Sequence, residues 1–251
     1  MPFSLYRALR AHPAVAACAA VFILGMPTAD SHAALTLSNT RIIHQSDNRS
    51  TSVVVRNPSQ QTYAVQAWIN TEADDNVSVV PLLPAPALFR LVPGNEQLLQ
   101  INALPNTLAE DRESLFFLNV QEIPQAVPGQ GNALNIALRT RLKLFYRPHQ
   151  LKGTPATEAK NLQFSLRMVA GEAHLRVHNP SPFHITFSQL NLADPQQSAR
   201  VKNPAMLAPF SGEDYVVKGI QPSSQLQAEF GVINDFGGFT PLLKQPVAAT
   251  R

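Results

Sequence analysis

The chain has 251 residues, 45% apolar and 15% charged. That is enough to bury one large core or two ordinary ones, and too apolar for wholesale disorder. A formal charge of +3 is too slight to argue for nucleic acid or an anionic membrane surface as partner.

Arg7 and Arg10 open a positively charged start. The run Ala14–Gly25 is almost wholly apolar but only 12 residues long, against roughly 20 needed to span a bilayer. Pro27 breaks the run, and Ser31-His32-Ala33 offers small residues at the two positions a signal peptidase reads. Residues 1–33 therefore read as a cleavable export signal, with an exported mature chain from 34 onward and no membrane insertion. Cleavage removes Cys18, the only cysteine, and leaves 18 basic and 16 acidic residues, a net charge of +2. The mature chain then has neither thiol nor disulfide.

From there the sequence reads as strand after strand. Ser52–Arg56 is β-branched and stops at the turn Asn57-Pro58-Ser59. Tyr63–Asn70 follows and carries the only tryptophan, Trp68. Leu88–Leu91 leads into Pro93-Gly94-Asn95, and Leu98–Ile101 resumes the β pattern. Ser114–Val120 is another apolar run, ended by Pro124. The longest alternation runs from Ala133 to Tyr146. Twenty-one prolines suit turns, strand ends and sheet edges, and no long window keeps helical spacing. The fold class is all-β.

The second half echoes the first. Val55-Arg56-Asn57-Pro58-Ser59 returns as Val177-His178-Asn179-Pro180-Ser181, 122 residues later. Leu91-Val92-Pro93-Gly94 has a weaker echo in Leu207-Ala208-Pro209-Phe210, at an offset of 116. Two strand–turn–strand corners repeated in order predict two immunoglobulin-like β-sandwiches in tandem. Arg147–Asn161 holds Pro148, Gly153 and Pro155 without apolar periodicity. The expected division is 34–150 for the first sandwich, 151–160 for a linker and 161–251 for the second.

Within the long alternation Leu134, Ile136, Leu138, Leu142, Leu144 and Tyr146 share one face. Asn135, Arg139, Arg141, Lys143 and Arg147 fall on the other. Strands usually stop at about 5 or 6 residues, whereas this one alternates for about 14. Such a strand can either serve its own core throughout or overhang it and offer an apolar row elsewhere.

Signals for catalysis are weak. His174 and His178 sit four apart with His184 nearby, but no cysteine joins them, and they read as surface histidines rather than zinc ligands. No nucleophile elbow, His-Glu-x-x-His or phosphate-cradling loop occurs. Asp74-Asp75 and Glu110-Asp111 read as solvated loop acids. The chain is expected not to be an enzyme and to need no cofactor or metal.

The run Leu108–Pro124 (LAEDRESLFFLNVQEIP) resembles the signature of the PapD-like periplasmic pilus chaperones. Thr40-Arg41, Gln66–Ile69, Arg139–Pro148 and Ile233–Gly237 also match that family, in its order along the chain. Gln125 departs from the small residue or proline usual at its position.

The resemblance implies two immunoglobulin-like domains joined at an angle and a chaperone that lends its long strand to a pilus subunit lacking one. Leu134, Ile136 and Leu138 would fill the subunit's groove, each burial contributing roughly 1.5–3 kcal/mol before ordering costs. Arg41 and Lys143 would anchor the subunit's terminal carboxylate. Glu113, Arg147 and Asp235 would form ion pairs between the domains. An outer-membrane usher would receive the subunit, the location would be the periplasm, and the short Gln125–Gly131 connection suits chaperones of rod-like pili. Lys143 has opposite parity to Leu138, so twist, a bulge or a cleft beyond the groove must reconcile the two roles. The rival reading is an exported fibre subunit or adhesin built from β-sandwiches.

Overall fold

The computed structural model describes residues 35–75, 77–124 and 137–249. Val53 and Val55 point inward from β3 (Ser50–Arg56), while Ser52 and Arg56 point to solvent. This period-2 division builds the first sandwich. β3 lies between β1 (Thr36–Leu37) and β7 (Glu96–Ala103), and β7 pairs in turn with β5 (Leu82–Ala85). The facing sheet has five strands. Their order is β2 (Arg41–Gln45), β9 (Arg139–Arg147), β8 (Ser114–Pro124), β4 (Tyr63–Asn70) and β6 (Leu88–Leu91). Val53, Val55, Leu99 and Ile101 of the smaller sheet meet Ile42, Val65, Leu118 and Leu144 of the larger in one buried cluster.

The second sandwich is built around β16 (Leu243–Ala249), which belongs to two pairings at once. Its first half runs antiparallel to β15 (Gln227–Val232), and Val247–Ala249 then run parallel to β10 (Gln163–Val169). Pro246 stands at the change of partner, a position where a missing N–H costs little. Beyond β10 lie β11 (Glu172–Asn179) and β14 (Ser211–Val217). Beyond β15 lie β12 (Phe187–Ala193) and β13 (Ser198–Arg200). Phe164, Leu175, Leu190 and Phe230 are among the side chains sealed between them. The first sandwich has a similar device. β1 pairs antiparallel with β3, and the chain then crosses so that β2 runs parallel to β9.

Residues 151–160 hold one helical turn, α1 (Pro155–Glu158), followed by a 3-10 turn at Ala159–Asn161. Thr154 and Thr157 cap it reciprocally, each side-chain oxygen accepting from the other's backbone N–H at 3.2 and 2.9 Å. Ala159 and Leu162 are already part of the second core.

The repeated corner is a repeated hydrogen-bond network. Asn57 is fully buried, and its Nδ2 donates to Gln61 O and Leu91 O while its Oδ1 accepts from Ser59 N and Oγ. Asn179, equally buried, donates to Phe183 O and Ala208 O and accepts from Ser181 N and Oγ. Gly94 and Phe210, related by the second offset, both take positive φ, 73° and 52°. In each sandwich one amide side chain thus ties the end of a strand to the loop across from it, with its own oxygen and nitrogen both bonded.

Candidate functional site

The face of the five-stranded sheet turned away from its core carries the charge. On β9 the residues Leu142, Leu144 and Tyr146 pack inward, which puts Arg139, Arg141, Lys143, Phe145 and Arg147 on the outer face. Burial along that outer row rises steeply, from exposed Arg139 through half-buried Arg141 and Lys143 to Phe145 at 2%. The cause is the second sandwich, which covers the far end. Phe145 meets the His184 ring at 5.3 Å, and Glu113 N donates to Pro182 O.

Arg147 is the centre of the covered end. Its Nε donates to Glu113 Oε1, and Nη1 and Nη2 grip both oxygens of Asp235, all at 2.8 Å. The guanidinium also lies 5.1 Å over the Phe183 ring. Glu113 is satisfied on its other oxygen by the backbone N–H of His184 at 2.7 Å and by His184 Nδ1 at 3.1 Å. Burial alone would lower the Arg147 pKa, but the bonds to Asp235 and Glu113 outweigh it and raise it. Glu113, Arg147 and Asp235 are thus brought together, and one cation between two carboxylates links β9 and the residue leading into β8 to the second sandwich.

One turn further along the sheet a different pair sits. Arg41 and Lys143 are direct neighbours in the parallel β2–β9 register. Arg41 is buried, donates from Nη1 to Ile233 O at 3.2 Å, and leaves its Nε buried without a partner. The Lys143 ammonium is half-buried and touches the thioether of Met206 at 3.3 Å. Among the described residues neither cation forms an ion pair. Burial pushes the Lys143 pKa down, Arg41 pushes it further, and Glu72 only partly opposes them. Burial likewise lowers Arg41, against the fields of Asp235 and Glu113. Two like charges, both partly desolvated, make a site that an anion would relieve.

Gly237 closes this site from the second sandwich. It takes φ 82°, and a Cβ there would clash with Thr40 Oγ1. The tight turn is held by Asn234, which exchanges backbone bonds with Gly237 and Gly238.

Toward the open end Arg139 binds Asp74 and stands 5.8 Å over Trp68, while Arg141 lies 3.9 Å over Phe117 and donates to Thr71 O. The Arg139 bond holds the Asp74 carboxyl below its usual range. Asp74 is thus a paired loop acid. Leu138 precedes β9, 48% exposed, and its carbonyl still accepts from Glu122 N. Leu134 and Ile136 lie outside the described residues. The β8–β9 register runs without a shift from Gln121↔Arg139 to Ser114↔Tyr146, so no bulge intervenes there. Lys143 keeps its opposite parity and lies on the outer face beside Arg41.

His184 corrects the expectation of a surface histidine. It is 6% exposed, bonded to Glu113 and tilted against the Phe145 ring. Sequence spacing grouped it with His174 and His178, whereas its partner Glu113 stands just before β8, far upstream. Among the described residues no group of three or more His, Cys, Asp or Glu side chains could hold a metal ion.

Comparison with known proteins finds one family across both sandwiches. Residues 34–152 match the family model described as "Pili and flagellar-assembly chaperone, PapD N-terminal domain". Residues 157–243 match "Pili assembly chaperone PapD, C-terminal domain". The chaperone protein FimB/FhaD of Bordetella pertussis is 38% identical over 90% of this chain and 93% of its own length. The probable fimbrial chaperone YadV of Escherichia coli K12 is 35% identical, covering 84% of this chain and 89% of its own. The crystal structure of YadV superposes with a TM-score of 0.72 at 33% identity, over 84% of this chain and 98% of that one. The SafB chaperone of Salmonella enterica, solved in complex with the SafA pilin, gives 0.73 at 26% identity, over 87% and 98%.

Proposed function

Because the chain belongs to the PapD family of pilus-assembly chaperones, we propose that it holds pilus subunits in the periplasm by lending them a β-strand. It then passes them to an outer-membrane usher. Residues 1–33 are the export signal, removed after Ala33. The protein acts by binding and catalyses no reaction.

The observation that carries this reading is the unpaired couple Arg41 and Lys143 in adjacent strands, with Arg41 Nε buried and unbonded. A terminal carboxylate would accept from both and relieve their desolvation, at charge-assisted bond strength of roughly 1.5–3 kcal/mol each. The row Leu134, Ile136 and Leu138 is the part of the strand offered to the subunit's groove, which would receive alternate side chains as strand addition does elsewhere. Leu138, exposed just before β9 and already carrying the pairing one residue past the strand, is in keeping with an overhang. Glu113, Arg147 and Asp235 set the angle between the sandwiches and so the width of the cleft.

The test is co-expression with a pilus subunit encoded beside this chain, followed by pull-down. Wild type should retain the subunit, and Arg41→Ala and Lys143→Ala should lose it while staying folded. Retention by either variant at the wild-type level would remove the anchor. A chain that polymerises alone and retains no subunit would favour a fibre component.

A further inference from the structure

The mature chain keeps two methionines, Met168 and Met206, once residues 1–33 are gone. Met168 is exposed on β10. Met206 is half-buried in the segment between β13 and β14, and its sulfur is the hydrogen-bond partner of the Lys143 ammonium at 3.3 Å. The contact crosses from the second sandwich to the first. It is held on both flanks, because Leu207 exchanges two backbone bonds with Ile185 at 2.9 Å each, and Ala205 O accepts from Tyr215 Oη at 3.0 Å.

A thioether is a weak acceptor. It covers the ammonium without neutralising it, and an incoming carboxylate displaces it at little cost. A sulfoxide is different. Its oxygen is a strong acceptor, and from a sulfur already beside Nζ it reaches the ammonium by a small side-chain rotation.

We propose that Met206 is a redox-modification site that closes the cation pair: its sulfoxide oxygen takes the Lys143 ammonium and excludes the ligand carboxylate. In the step a hydroperoxide meets the sulfur, its O–O bond breaks and an S–O bond forms. With hydrogen peroxide the other oxygen leaves as water. Sulfur gives up two electrons, the peroxide accepts them, and no group leaves the chain. Reduction of the sulfoxide by a dithiol-dependent reductase restores the weak contact and reopens the site. The proposal rests on the carboxylate-anchor reading for its consequence, but not for its chemistry.

Wild type, Met168→Leu and Met206→Leu are treated with hydrogen peroxide and compared with untreated samples. Acetylation of Lys143 by an amine-acylating reagent is read by mass spectrometry, and affinity is measured for a synthetic peptide ending in a free carboxylate. Oxidised wild type and Met168→Leu should show Lys143 acetylation reduced about threefold or more and peptide affinity reduced about tenfold, the scale of one charge-assisted bond. Met206→Leu should respond to peroxide in neither assay. Unchanged Lys143 labelling in oxidised wild type overturns the proposal, as does an equal loss in Met206→Leu. If labelling responds through Met206 while Lys143→Ala binds peptide as well as wild type, the Met206–Lys143 contact stands and the anchor reading fails.

Discussion

Two groups of buried charge lie a few residues apart on the same sheet, and they are built in opposite ways. Around Arg147 every charge has a partner. One guanidinium meets two carboxylates, and Glu113 spends its remaining oxygen on His184. Around Arg41 and Lys143 two cations stand side by side and their partners are a carbonyl and a thioether. A satisfied cluster resists change, because removing one member strands the others in a dry place. An unsatisfied pair costs stability by itself and returns it only when a ligand arrives. The first is built as a strut, and the second is the receptor of the proposed function.

The largest effect should follow from breaking the strut. Arg147→Ala leaves Glu113 and Asp235 without their cation and should lower stability by about 3–5 kcal/mol, read by urea unfolding with Trp68 fluorescence. A loss below about 1 kcal/mol would place the cluster in solvent instead. Next come the corners shared by both sandwiches. Asn57→Ala strips two donors and an acceptor from a buried turn and should cost about 2–3 kcal/mol. Asn179→Ala should fall within about 1 kcal/mol of it, since the two networks match bond for bond.

The receptor should give the reverse signature. Lys143→Ala removes a half-buried ammonium whose pKa burial has already lowered, so stability should hold within about 0.5 kcal/mol or rise. Subunit retention should still fall at least about tenfold. A variant losing both together would mean that Lys143 is a second strut.

A smaller effect concerns pH. His44 is fully buried, stacked on Tyr146 at 5.8 Å, and bonded through Nδ1 to Thr51 Oγ1 at 2.9 Å. Its Nε2 is buried without a partner, and burial lowers its pKa below the ordinary 6.5. The unfolded chain therefore binds the proton more readily than the folded one. His44's contribution to stability is complete above pH 6.5 and is lost as the pH falls from there toward the folded-state pKa. The slope should approach but not exceed about 1.4 kcal/mol per pH unit. His44→Gln should flatten that part of a melting-temperature profile, and an unchanged profile would clear His44. Smallest of all, the exposed pair Arg56–Glu96 should be worth no more than about 0.5 kcal/mol when Glu96 becomes Gln.

The sequence made some of this readable. Alternation exposed the strands, and the Asn-Pro-Ser echo announced two sandwiches, because a buried corner needs the same amide in each. Alternation reports only one face of a strand, however. Arg147 looked outward-facing and is covered by the second sandwich together with Phe145, which no local pattern records. The neighbourhood of Arg41 and Lys143 depends on a parallel pairing between distant strands, so the two were linked through the family resemblance and not by spacing. His184 was misplaced for a related reason. Its surroundings are set by Glu113, 71 residues away, and no local pattern around His184 records so distant a partner.

On the proposed function, the cation pair takes a carboxylate at a chain end. Calorimetric titration of the protein with one peptide in two forms, free acid and C-terminal amide, decides whether it does. The free acid should bind at least about tenfold more tightly, with the gap closing in Lys143→Ala. Equal affinity for acid and amide in the wild-type protein would contradict it.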